Sequence, residues 1–529
     1  MTGRRRSLAG LFLVAGAALA QETPRGPTTF IFPSEDLGEV ALVARGAAQL
    51  ASAGDIAALH DFGFRDRLGD TGITFRHQAV SDSARDYRAV HYDHGNALAV
   101  ADIDGDGLLD LYFVNQIGSN ELWRNRGGLQ FENATESAKV GLADRIGVAA
   151  AFADIDNDGD PDLFTTSVRG GNALLENDGT GRFTDITAAA GLGYLGHSSG
   201  AVFVDVDLDG LLDLLVTNVG CYTTDEVGEG GYFIGMEDAF EGHLYPDRSE
   251  SSRLYRNLGG RRFADITEQA GLDDLGWNGD AVLVDLDDNA LPDLYVLNMQ
   301  GDDHYLLNRG DGRFEDQTFD YFAKTPYGAM GVGAFDFDND GDQDVLVTDM
   351  HSDMNGAQTP AEEQNKQGIR YVYQDGFRHL MGNAFYENQG EGQFAERSDV
   401  LGLENYWPWG LSAEDLNADG WTDVFIASSM NYPFRYHVNS VLLNEAGTRF
   451  APAEFILGVE PRAGGVRQPW FDLDCGTAAD GSHVHCDDRS DRITVHGTLG
   501  TLGTRTSALV DLDNDGDLDI ITGEFNAAP

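Results

Sequence analysis

Seven stretches of alternating aspartates recur along this chain, and short apolar runs flank each of them. The clearest copy, from Asp154 to Asp162, reads DIDNDGDPD, and three of the six intervals between copies are 51 or 52 residues long. Such a regular repeat of about 50 residues is typical of a fold that uses one small unit many times. The repeat therefore constrains the fold more tightly than the length of 529 residues does.

Every unit places four short segments in the same order. A small-residue run such as GVAAAFAD (147–154) leads into the aspartates, and a β-type run such as DLFTTSV (162–168) follows them. A segment ending in Asn (174–177) and a Phe-led run (183–187) complete the unit. Four short β-strands joined by Gly-rich turns form a propeller blade. We predict an all-β fold, a seven-bladed β-propeller; the alternative, a flat two-sheet sandwich, does not explain the strict repeat.

A Phe-led segment at 64–75 precedes the first acidic loop and matches the outer run of a later unit. We therefore expect it to complete the last blade and so to join the two chain ends. With it there are seven Phe-led runs and seven acidic loops, but only six segments that end in Asn. The seventh such segment is expected after 519–526, so the sequence predicts a C-terminally truncated chain.

The sequence divides the chain into three parts. Residues 1–20 have a basic start, an apolar run and the small-residue end ALA, which predicts a cleaved signal peptide. Residues 21–60 form an N-terminal helical and linker segment, because apolar residues recur with helical spacing within 34–60. Residues 61–529 form the propeller. The expected location is secreted, periplasmic or extracellular, without a membrane span.

Three cysteines are present, and export exposes them to an oxidising compartment. Cys475 and Cys486 are expected to form a disulfide, which leaves Cys221 unpaired. His483 and His485 lie beside Cys486, so a Cys/His zinc site is the alternative, although no other zinc-finger spacing occurs. The formal net charge of −53 argues against nucleic acid and anionic lipid as partners.

The acidic loop has the chemistry of a calcium site. Counting Asp154 as position 1, carboxylates stand at positions 1, 3, 5 and 9, and Gly159 at position 6 permits a sharp turn. Calcium takes about six to eight oxygen ligands, whereas magnesium demands a stricter octahedron. Asp-rich turns that only solvate strand ends are the plain alternative, but seven periodic copies argue against it. We therefore expect up to seven bound Ca²⁺ ions.

The expected metal ligands are the side chains at positions 1, 3, 5 and 9 of each loop. They are Asp102, Asp104, Asp106 and Asp110; Asp154, Asp156, Asp158 and Asp162; Asp205, Asp207, Asp209 and Asp213; Asp285, Asp287, Asn289 and Asp293; Asp336, Asp338, Asp340 and Asp344; Asp415, Asn417, Asp419 and Asp423; and Asp511, Asp513, Asp515 and Asp519.

The copies are not equal, and none is an EF-hand. An EF-hand needs a bidentate Glu at position 12 and flanking helices, whereas Phe113, Thr165 and Val216 stand at that position in the first three loops. The loop at Asp285 has Ala290 in place of the glycine, which is strained if φ is positive. We expect this loop to be the weakest site.

The units resemble FG-GAP/VCBS repeats, the blades of integrin α-chain propellers. Segments such as GNALAVADIDGDGLLDLYFVN (95–115) and LYRNLGGRRFADITEQAGL (254–272) are similar to the cartilage-acidic-protein-1-like group with ASPIC/UnbV architecture. The resemblance covers about 61–529. It implies a secreted, calcium-binding propeller that an ASPIC/UnbV domain often follows.

Long insertions are expected on the propeller face opposite the acidic loops. They lie at about 220–252, 350–382 and 455–505 and carry aromatic residues suited to recognition of an extracellular protein or glycan. These residues are Tyr222, Tyr232, Phe233, Tyr245, Tyr371, Tyr373, Phe377 and Trp470. The alternative is that these rings pack on each other and cap the central channel.

Three classes of function fit these observations. The first is a binding or adhesion scaffold, because the regular part of the chain builds a platform. The second is a polysaccharide-active, lyase-like enzyme using His91, His94 or His197, although no catalytic motif supports it. The third is a structural domain that supports a C-terminal ASPIC/UnbV domain. No residue is predicted to be catalytic, and the chain is not expected to be an enzyme.

Overall fold

The computed structural model describes most of the chain from residue 28 onward. The described residues are 28–32, 39–60, 62–80, 92, 95–228, 231–236, 239, 246–272, 276–350, 378–380, 382–390, 392–405, 408–428, 430–431, 435–436, 438–461, 469–477, 486, 490, 492–497, 503–525 and 527–529. The predicted signal peptide at 1–20 lies outside them.

The first elements precede the repeat units. They are strand β1 (Thr28–Phe32), helix α1 (Glu39–Ser52), a 3₁₀ turn (Ala53–Asp55) and the one-turn helix α2 (Leu68–Thr71). The helix predicted within 34–60 is therefore present. Arg45 and Gln49 of α1 both donate to the Glu454 carboxylate, at 2.8 and 2.6 Å, so the helix packs beside the propeller.

Six four-stranded antiparallel sheets follow, one for each repeat unit. Blade one comprises β2 (Leu98–Ala101), β3 (Asp110–Phe113), β4 (Glu121–Asn125) and β5 (Phe131–Asn133). Blade two comprises β6 (Gly147–Ala153), β7 (Asp162–Ser167), β8 (Ala173–Asn177) and β9 (Phe183–Asp185). Blade three comprises β10 (Ser198–Val204), β11 (Asp213–Asn218), β14 (Arg253–Asn257) and β15 (Phe263–Asp265), with the inserted hairpin β12 (Thr223–Val227) and β13 (Phe233–Gly235).

The second half of the ring repeats this order. Blade four comprises β16 (Asn278–Val284), β17 (Asp293–Asn298), β18 (His304–Asn308) and β19 (Phe314–Asp316). Blade five comprises β21 (Ala329–Phe335), β22 (Asp344–Asp349), β24 (Ala384–Asn388) and β25 (Phe394–Glu396), beside the short parallel pair β20 (Thr325–Pro326) and β23 (His379–Leu380). Blade six comprises β26 (Pro408–Glu414), β27 (Asp423–Ser428), β30 (Ser440–Asn444) and β31 (Phe450–Pro452), with the inserted pair β28 (Met430–Asn431) and β29 (Arg435–Tyr436).

Short helices and a separate sheet complete the described elements. One-turn helices follow the outer strands of blades one to five: α3 (Thr135–Ala138), α4 (Thr187–Ala190), α5 (Thr267–Ala270), α6 (Thr318–Tyr321) and α7 (Ser398–Leu401). In blade six a turn at 454–458 takes this place. A 3₁₀ turn (Pro246–Arg248) lies in the blade-three insertion. β32 (Pro469–Asp474) and β33 (Arg492–Gly497) form a three-stranded sheet with β1, and β34 (Thr504–Val510) has β35 (Asp519–Glu524) as its only partner among the described strands.

The prediction of seven complete blades is wrong in this structure, which describes six. The β34–β35 hairpin lies between blade six and blade one, because β34 runs beside both β26 and β2. Residues 64–75 do not form the predicted outer strand, and the one regular element among them is helix α2. The Phe64 carbonyl nevertheless lies beside Gly458, just as the carbonyl of Phe263, in the outer strand of blade three, lies beside Gly191. The physical reason is that no third strand is described at this position, so Phe64 has no strand partner.

Apolar contacts between neighbouring blades form the core. The second strand of every complete blade is buried at each residue, because it is covered by blades on both sides. One cluster joins Ile103 and Tyr112 of blade one to Leu163 and Phe183 of blade two. The first strands of the blades lie close together around the axis of the ring. A Cβ atom added to Gly331 of blade five would lie only 2.6 Å from the Trp409 carbonyl of blade six. This convergence explains the small residues of the first segment.

The Asn that ends the third strand links its blade to the preceding position of the ring in blades one to four and in blade six. In blade two, the Asn177 side chain donates to the Ile103 carbonyl of blade one at 2.8 Å and to the Pro161 carbonyl at 3.1 Å. Its oxygen accepts from the backbone of Gly179 and Gly181. Blade one makes the same link to the hairpin, because Asn125 donates to the Leu512 carbonyl at 2.9 Å. The hairpin therefore occupies a regular position in the ring.

In blade four, a buried aspartate stands just before the third strand, at a position where the other blades have an asparagine or a serine. Asp303 accepts from the Asn298 backbone at 2.7 Å and from the Tyr295 hydroxyl at 3.1 Å. Asn120 of blade one has the matching contacts, donating to the Tyr112 hydroxyl at 2.9 Å. Burial raises the pKa of Asp303 well above its ordinary value. Ionisation of Asp303 therefore opposes folding.

We expect Asp303→Asn to stabilise the chain at pH 8 by about 1–3 kcal/mol. Because the folded-state pKa is raised, Asp303 weakens the folded state increasingly as pH rises above the unfolded value. The difference between variant and parent should therefore shrink towards pH 4. Denaturant unfolding at both pH values measures it. The reverse change in blade one, Asn120→Asp, should destabilise at pH 8, and a pH-independent effect of either variant would contradict this account.

Outside the ring, Cys475 and Cys486 form the predicted disulfide. Cys221 is free, as expected, and lies half-buried in the blade-three insertion. The alternative zinc ligands His483 and His485 lie outside the described residues.

Candidate metal centres

The seven acidic loops all connect the first strand of a blade position to the second. Each runs from the end of a first strand, such as β6 at Ala153, to the start of a second strand, such as β7 at Asp162. The antiparallel order places all these connections at the same end of the strands. The predicted ligands therefore lie on one rim of the propeller.

The aspartate at position 1 folds each loop. Asp154 accepts from the Asp158 backbone at 3.1 Å and, through its other oxygen, from the Gly159 backbone at 2.9 Å. The same two bonds occur in all seven loops. The loops therefore share one conformation, including the loop at Asp285, which lacks the glycine.

The aspartate at position 9 closes the loop from the buried side. Asp162 accepts from the Ile155 backbone at 3.3 Å and from the Asn177 backbone at 2.7 Å. Burial is the main cause that raises the pKa of these carboxyls, with neighbouring aspartates adding to it. The pKa is raised to about 6 for Asp110, Asp213 and Asp293, and to about 7 for Asp162, Asp344 and Asp423.

Carboxylates from separate positions meet in at least four of the loops. Candidate ligand atoms lie within 4.8 Å of one another in the sets Asp102–Asp104–Asp110, Asp154–Asp156–Asp158, Asp205–Asp207–Asp213 and Asp285–Asp287–Asp293. At position 3, both buried oxygens of Asp104 and one buried oxygen each of Asp156 and Asp207 have no hydrogen-bond partner. Buried polar atoms are rarely left in this state. These oxygens fit a hard cation, and calcium accepts this kind of oxygen-only ligand set.

Arginines at these loops are site residues that the sequence reasoning missed. Arg124 lies against Asp104, and Arg256 lies against Asp207; both precede the Asn that ends a third strand. Arg261 contacts Asp156 at 2.7 Å. The arginine directly before the Asn in the motifs LWRN and LYRN could have indicated these contacts, because the side chain at that position faces the acidic loop. Three loops therefore have a fixed positive charge beside position 3, which lowers their demand for a metal ion.

The loop at Asp285 differs from the others as its sequence suggested. Ala290 has φ +62°, whereas Gly159 at the same position has φ +93°. A non-glycine residue in the left-handed region costs roughly 1 kcal/mol. The prediction that this is the weakest metal site follows from that strain and stays a prediction.

We expect Ala290→Gly to stabilise the chain by about 0.5–1 kcal/mol, because it relieves the left-handed strain without removing a ligand. Denaturant unfolding in calcium-containing buffer measures the change. Gly159→Ala in the loop of blade two is the matched control and should destabilise by a similar amount. Equal stabilities of parent and Ala290→Gly would contradict the strain argument.

The face opposite the acidic rim carries the insertions. The segments between second and third strands fall at 219–252 in blade three and 350–383 in blade five, and the long segment 453–503 joins blade six to β34. Tyr222 and Tyr232 are buried and pack edge-on against Tyr92. The expectation of exposed recognition residues is therefore wrong for these two rings, which belong to a buried apolar cluster.

Other residues singled out in the sequence fall in two groups. Phe233 is half-buried beneath the Arg169 guanidinium, 3.8 Å from the ring centre. His197 is buried, with one ring nitrogen 2.6 Å from Glu250 and the other 2.8 Å from the Thr223 hydroxyl, a pairing that suits a structural role. His91, His94, Tyr245, Tyr371, Tyr373 and Phe377, and the side chain of Trp470, lie outside the described residues.

No helix in the described part of the chain is both long and apolar enough to cross a membrane.

Cartilage acidic protein 1 from Xenopus tropicalis is 27% identical over 292 residues, which are 51% of this chain and 42% of the relative. The mouse protein of that name is 25% identical over 286 residues, again 51% of this chain and 42% of the relative. The matches thus span less than half the length of these relatives.

A solved structure of an Agrocybe aegerita lectin, described as recognising non-reducing terminal N-acetylglucosamine, is also similar. It has a TM-score of 0.38 and 16% identity, over 68% of this chain and 79% of that chain. The FG-GAP-like repeat family matches residues 102–165, 154–216, 285–347 and 376–426, each spanning an acidic loop or its strands. The matched repeats and the ring of blades together show a β-propeller that contains FG-GAP-like repeats.

Proposed function

We propose that this protein is a secreted, calcium-stabilised binding scaffold whose partner is an extracellular protein or glycan. The observation that carries the proposal is the repeated acidic loop: one conformation, seven copies, on one rim. A spacer function alone does not require seven copies of the same carboxylate cluster.

Calcium would hold the first hairpin of each blade position. The ligands are the side chains at positions 1, 3, 5 and 9. A bound cation would offset both the desolvation cost of the buried carboxylate at position 9 and its repulsion by neighbouring acids. The seventh position is included in this proposal, because Asp511 folds its loop as Asp154 does. We therefore propose a seven-position propeller that binds up to seven Ca²⁺.

Secretion fits the chemistry of the chain. The sequence of residues 1–20 has the pattern of a signal peptide. The Cys475–Cys486 disulfide is a bond that persists in oxidising compartments. Extracellular fluids also supply calcium at concentrations that weak, acidic-loop sites require.

The partner is proposed to bind the face that carries the insertions. Arg169, which follows β7 of blade two, donates to the Thr224 carbonyl at 2.8 Å and to Asp225 at 2.9 Å in the β12–β13 hairpin, and its guanidinium covers the Phe233 ring. Val227 at the end of β12 is 59% exposed. A guanidinium on an aromatic ring beside an exposed apolar residue is a common recognition surface.

The test is a binding screen of the 529-residue chain on glycan and extracellular-matrix protein arrays, with calcium and with EDTA. We expect calcium-dependent binding that Arg169→Ala weakens, whereas Arg309→Ala on the outer strand pair of blade four leaves it unchanged. Incubation with polysaccharides, followed at the ultraviolet absorbance of unsaturated products, tests the lyase alternative. No binding on either array, or release of such products, would contradict the scaffold proposal.

A further inference from the structure

A histidine, a cysteine and a glutamate meet at the insertion end of blade three. His197 stands directly before β10, Cys221 follows β11, and Glu250 precedes β14. One potential ligand atom from each side chain lies within 4.8 Å of the other two, with His197 buried and the other two residues half-buried. The acidic loop of blade three joins the opposite ends of β10 and β11. This cluster is therefore separate from the predicted calcium ligands and can be reached from solvent.

The three side chains offer a nitrogen, a sulfur and an oxygen as donor atoms. Calcium takes oxygen ligands, so this set does not suit the ion expected in the acidic loops. Zinc accepts all three donor types and binds them as a tetrahedron, with donor atoms roughly 3.4–3.6 Å apart. The cluster lies inside that range of reach, because its donor atoms are within 4.8 Å of one another. His197 Nδ1 and a Glu250 oxygen are 2.6 Å apart, so these two atoms would separate by about 0.8 Å around the ion.

Hydrogen bonds outside the cluster hold two of the three side chains in place. His197 Nε2 lies 2.8 Å from the Thr223 hydroxyl. In the tautomer that carries its proton on Nε2, this N–H donates to Thr223, and Nδ1 keeps a lone pair for a metal ion. The second Glu250 oxygen accepts the His197 backbone N–H at 2.6 Å and the Tyr194 hydroxyl at 3.3 Å. Such outer partners are typical of histidines and carboxylates that bind metals.

The repeat unit does not require these side chains. At the position of His197, directly before the first strand, blades two and four have Ile146 and Trp277. At the position of Glu250, three residues before the third strand, blade two has Gly170. A buried pair of His197 and Glu250 alone would also need no thiol beside it. The cluster is therefore an addition to the blade pattern in blade three.

Charge balance also favours a divalent ion. Zinc binds the deprotonated thiol, so the bound site would combine one thiolate, one carboxylate and a neutral imidazole. These two negative charges match the two positive charges of the ion, and buried charges are stable when they are paired or coordinate a metal. The Arg169 guanidinium beside Thr223 has its own counter-charge in Asp225, at 2.9 Å.

We propose that His197, Cys221 and Glu250 form a zinc site, with water as the fourth ligand. The ion ties the start of β10 to both ends of the blade-three insertion, which spans 219–252. This inference goes beyond the calcium-stabilised scaffold, because it assigns a different metal to the opposite end of a blade. It also gives a role to Cys221, the free cysteine.

Zinc binding to the 529-residue chain tests the site. The chelator-stripped chain is dialysed against zinc in excess calcium, so that calcium competes for every site with oxygen ligands only. We expect one zinc ion per chain by mass spectrometry, and cobalt in its place should show the absorption of a thiolate-bound tetrahedral ion. Zinc should also slow the reaction of Cys221 with a thiol reagent, which reports on this residue alone because Cys475 and Cys486 form a disulfide.

Cys221→Ser and His197→Ala each remove a ligand and should weaken zinc binding at least about a hundredfold, more than the roughly tenfold loss expected for the outer partner in Thr223→Val. His304→Ala is the matched control, because His304 pairs with Asp316 at 2.9 Å on blade four, and should leave zinc binding unchanged. Circular dichroism and the melting temperature establish folding. Absence of zinc from the parent chain, zinc that excess calcium removes, or binding that Cys221→Ser leaves unchanged would each overturn the proposal.

Discussion

EGTA is expected to lower the melting temperature of the calcium-loaded chain by roughly 15 °C, since each site held at 100 times its Kd adds about 2.7 kcal/mol to the unfolding free energy. The physical cause is the crowding of carboxylates in the acidic loops. Without a cation, Asp102, Asp104 and Asp110 of blade one repel one another within 4.8 Å. Scanning calorimetry with calcium and with EGTA measures the shift.

Two controls separate calcium from general salt effects. Excess calcium added after EGTA should restore the original transition, whereas the same concentration of magnesium should restore only part of it, because magnesium demands a stricter octahedral shell. Sodium chloride at equal ionic strength should have a small effect. An unchanged transition in EGTA would show that the arginines and backbone bonds stabilise these loops without metal.

Asn177→Ala is expected to destabilise the chain by about 3–5 kcal/mol, the second large effect. The substitution leaves the buried Ile103 and Pro161 carbonyls without their donor and removes the acceptor for two turn amides. It also breaks a bond between blades one and two, so the loss is not confined to one sheet. Denaturant unfolding in the presence of calcium measures it.

The matched control is Asn388→Ala in blade five. Asn388 donates only to the Gln343 carbonyl, at a long 3.4 Å, and accepts from Gly390 at 3.0 Å. Among the residues that the structure describes, it makes no side-chain bond to the preceding blade, and we expect a loss of about 1–2 kcal/mol. Equal losses for the two variants would contradict the role assigned to the bond between blades.

The repeat allowed much of the fold to be predicted because its spacing and its strand pattern agree at every copy. Each aspartate at position 9 begins a second strand, as Asp162 begins β7, and each Asn such as Asn177 ends a third strand. The helix within 34–60, the disulfide and the free Cys221 also follow from local sequence signals. These features depend on contacts close in sequence or on a rule repeated many times.

What could not be predicted depends on contacts between distant parts of the chain. That residues 64–67 form no strand could not be predicted, because a strand there depends on a third strand beside β35, and none lies in the described ranges. Tyr222 and Tyr232 are buried because Tyr92, far away in sequence, packs against both. Arg261 reaches Asp156 from the neighbouring blade, a pairing that no local motif announces.

The Asp303 site shows the same limit at a single residue. Its position before the third strand is regular, and a sequence alignment of the repeats matches it with Asn120 and Asn172. The consequence of the acid, however, depends on complete burial between Tyr295 and the Asn298 backbone. Only the packed structure shows that this carboxyl has a raised pKa.

The central claim is that the acidic loops are calcium sites. Equilibrium dialysis of the chelator-stripped chain against millimolar calcium, with metal content determined by mass spectrometry, tests it most directly. The account predicts up to seven calcium ions per chain, at most one for each of the seven loops, with Asp287→Asn in the weakest loop removing less bound calcium than Asp338→Asn. A content of one ion or none per chain, with the propeller still folded, would contradict it.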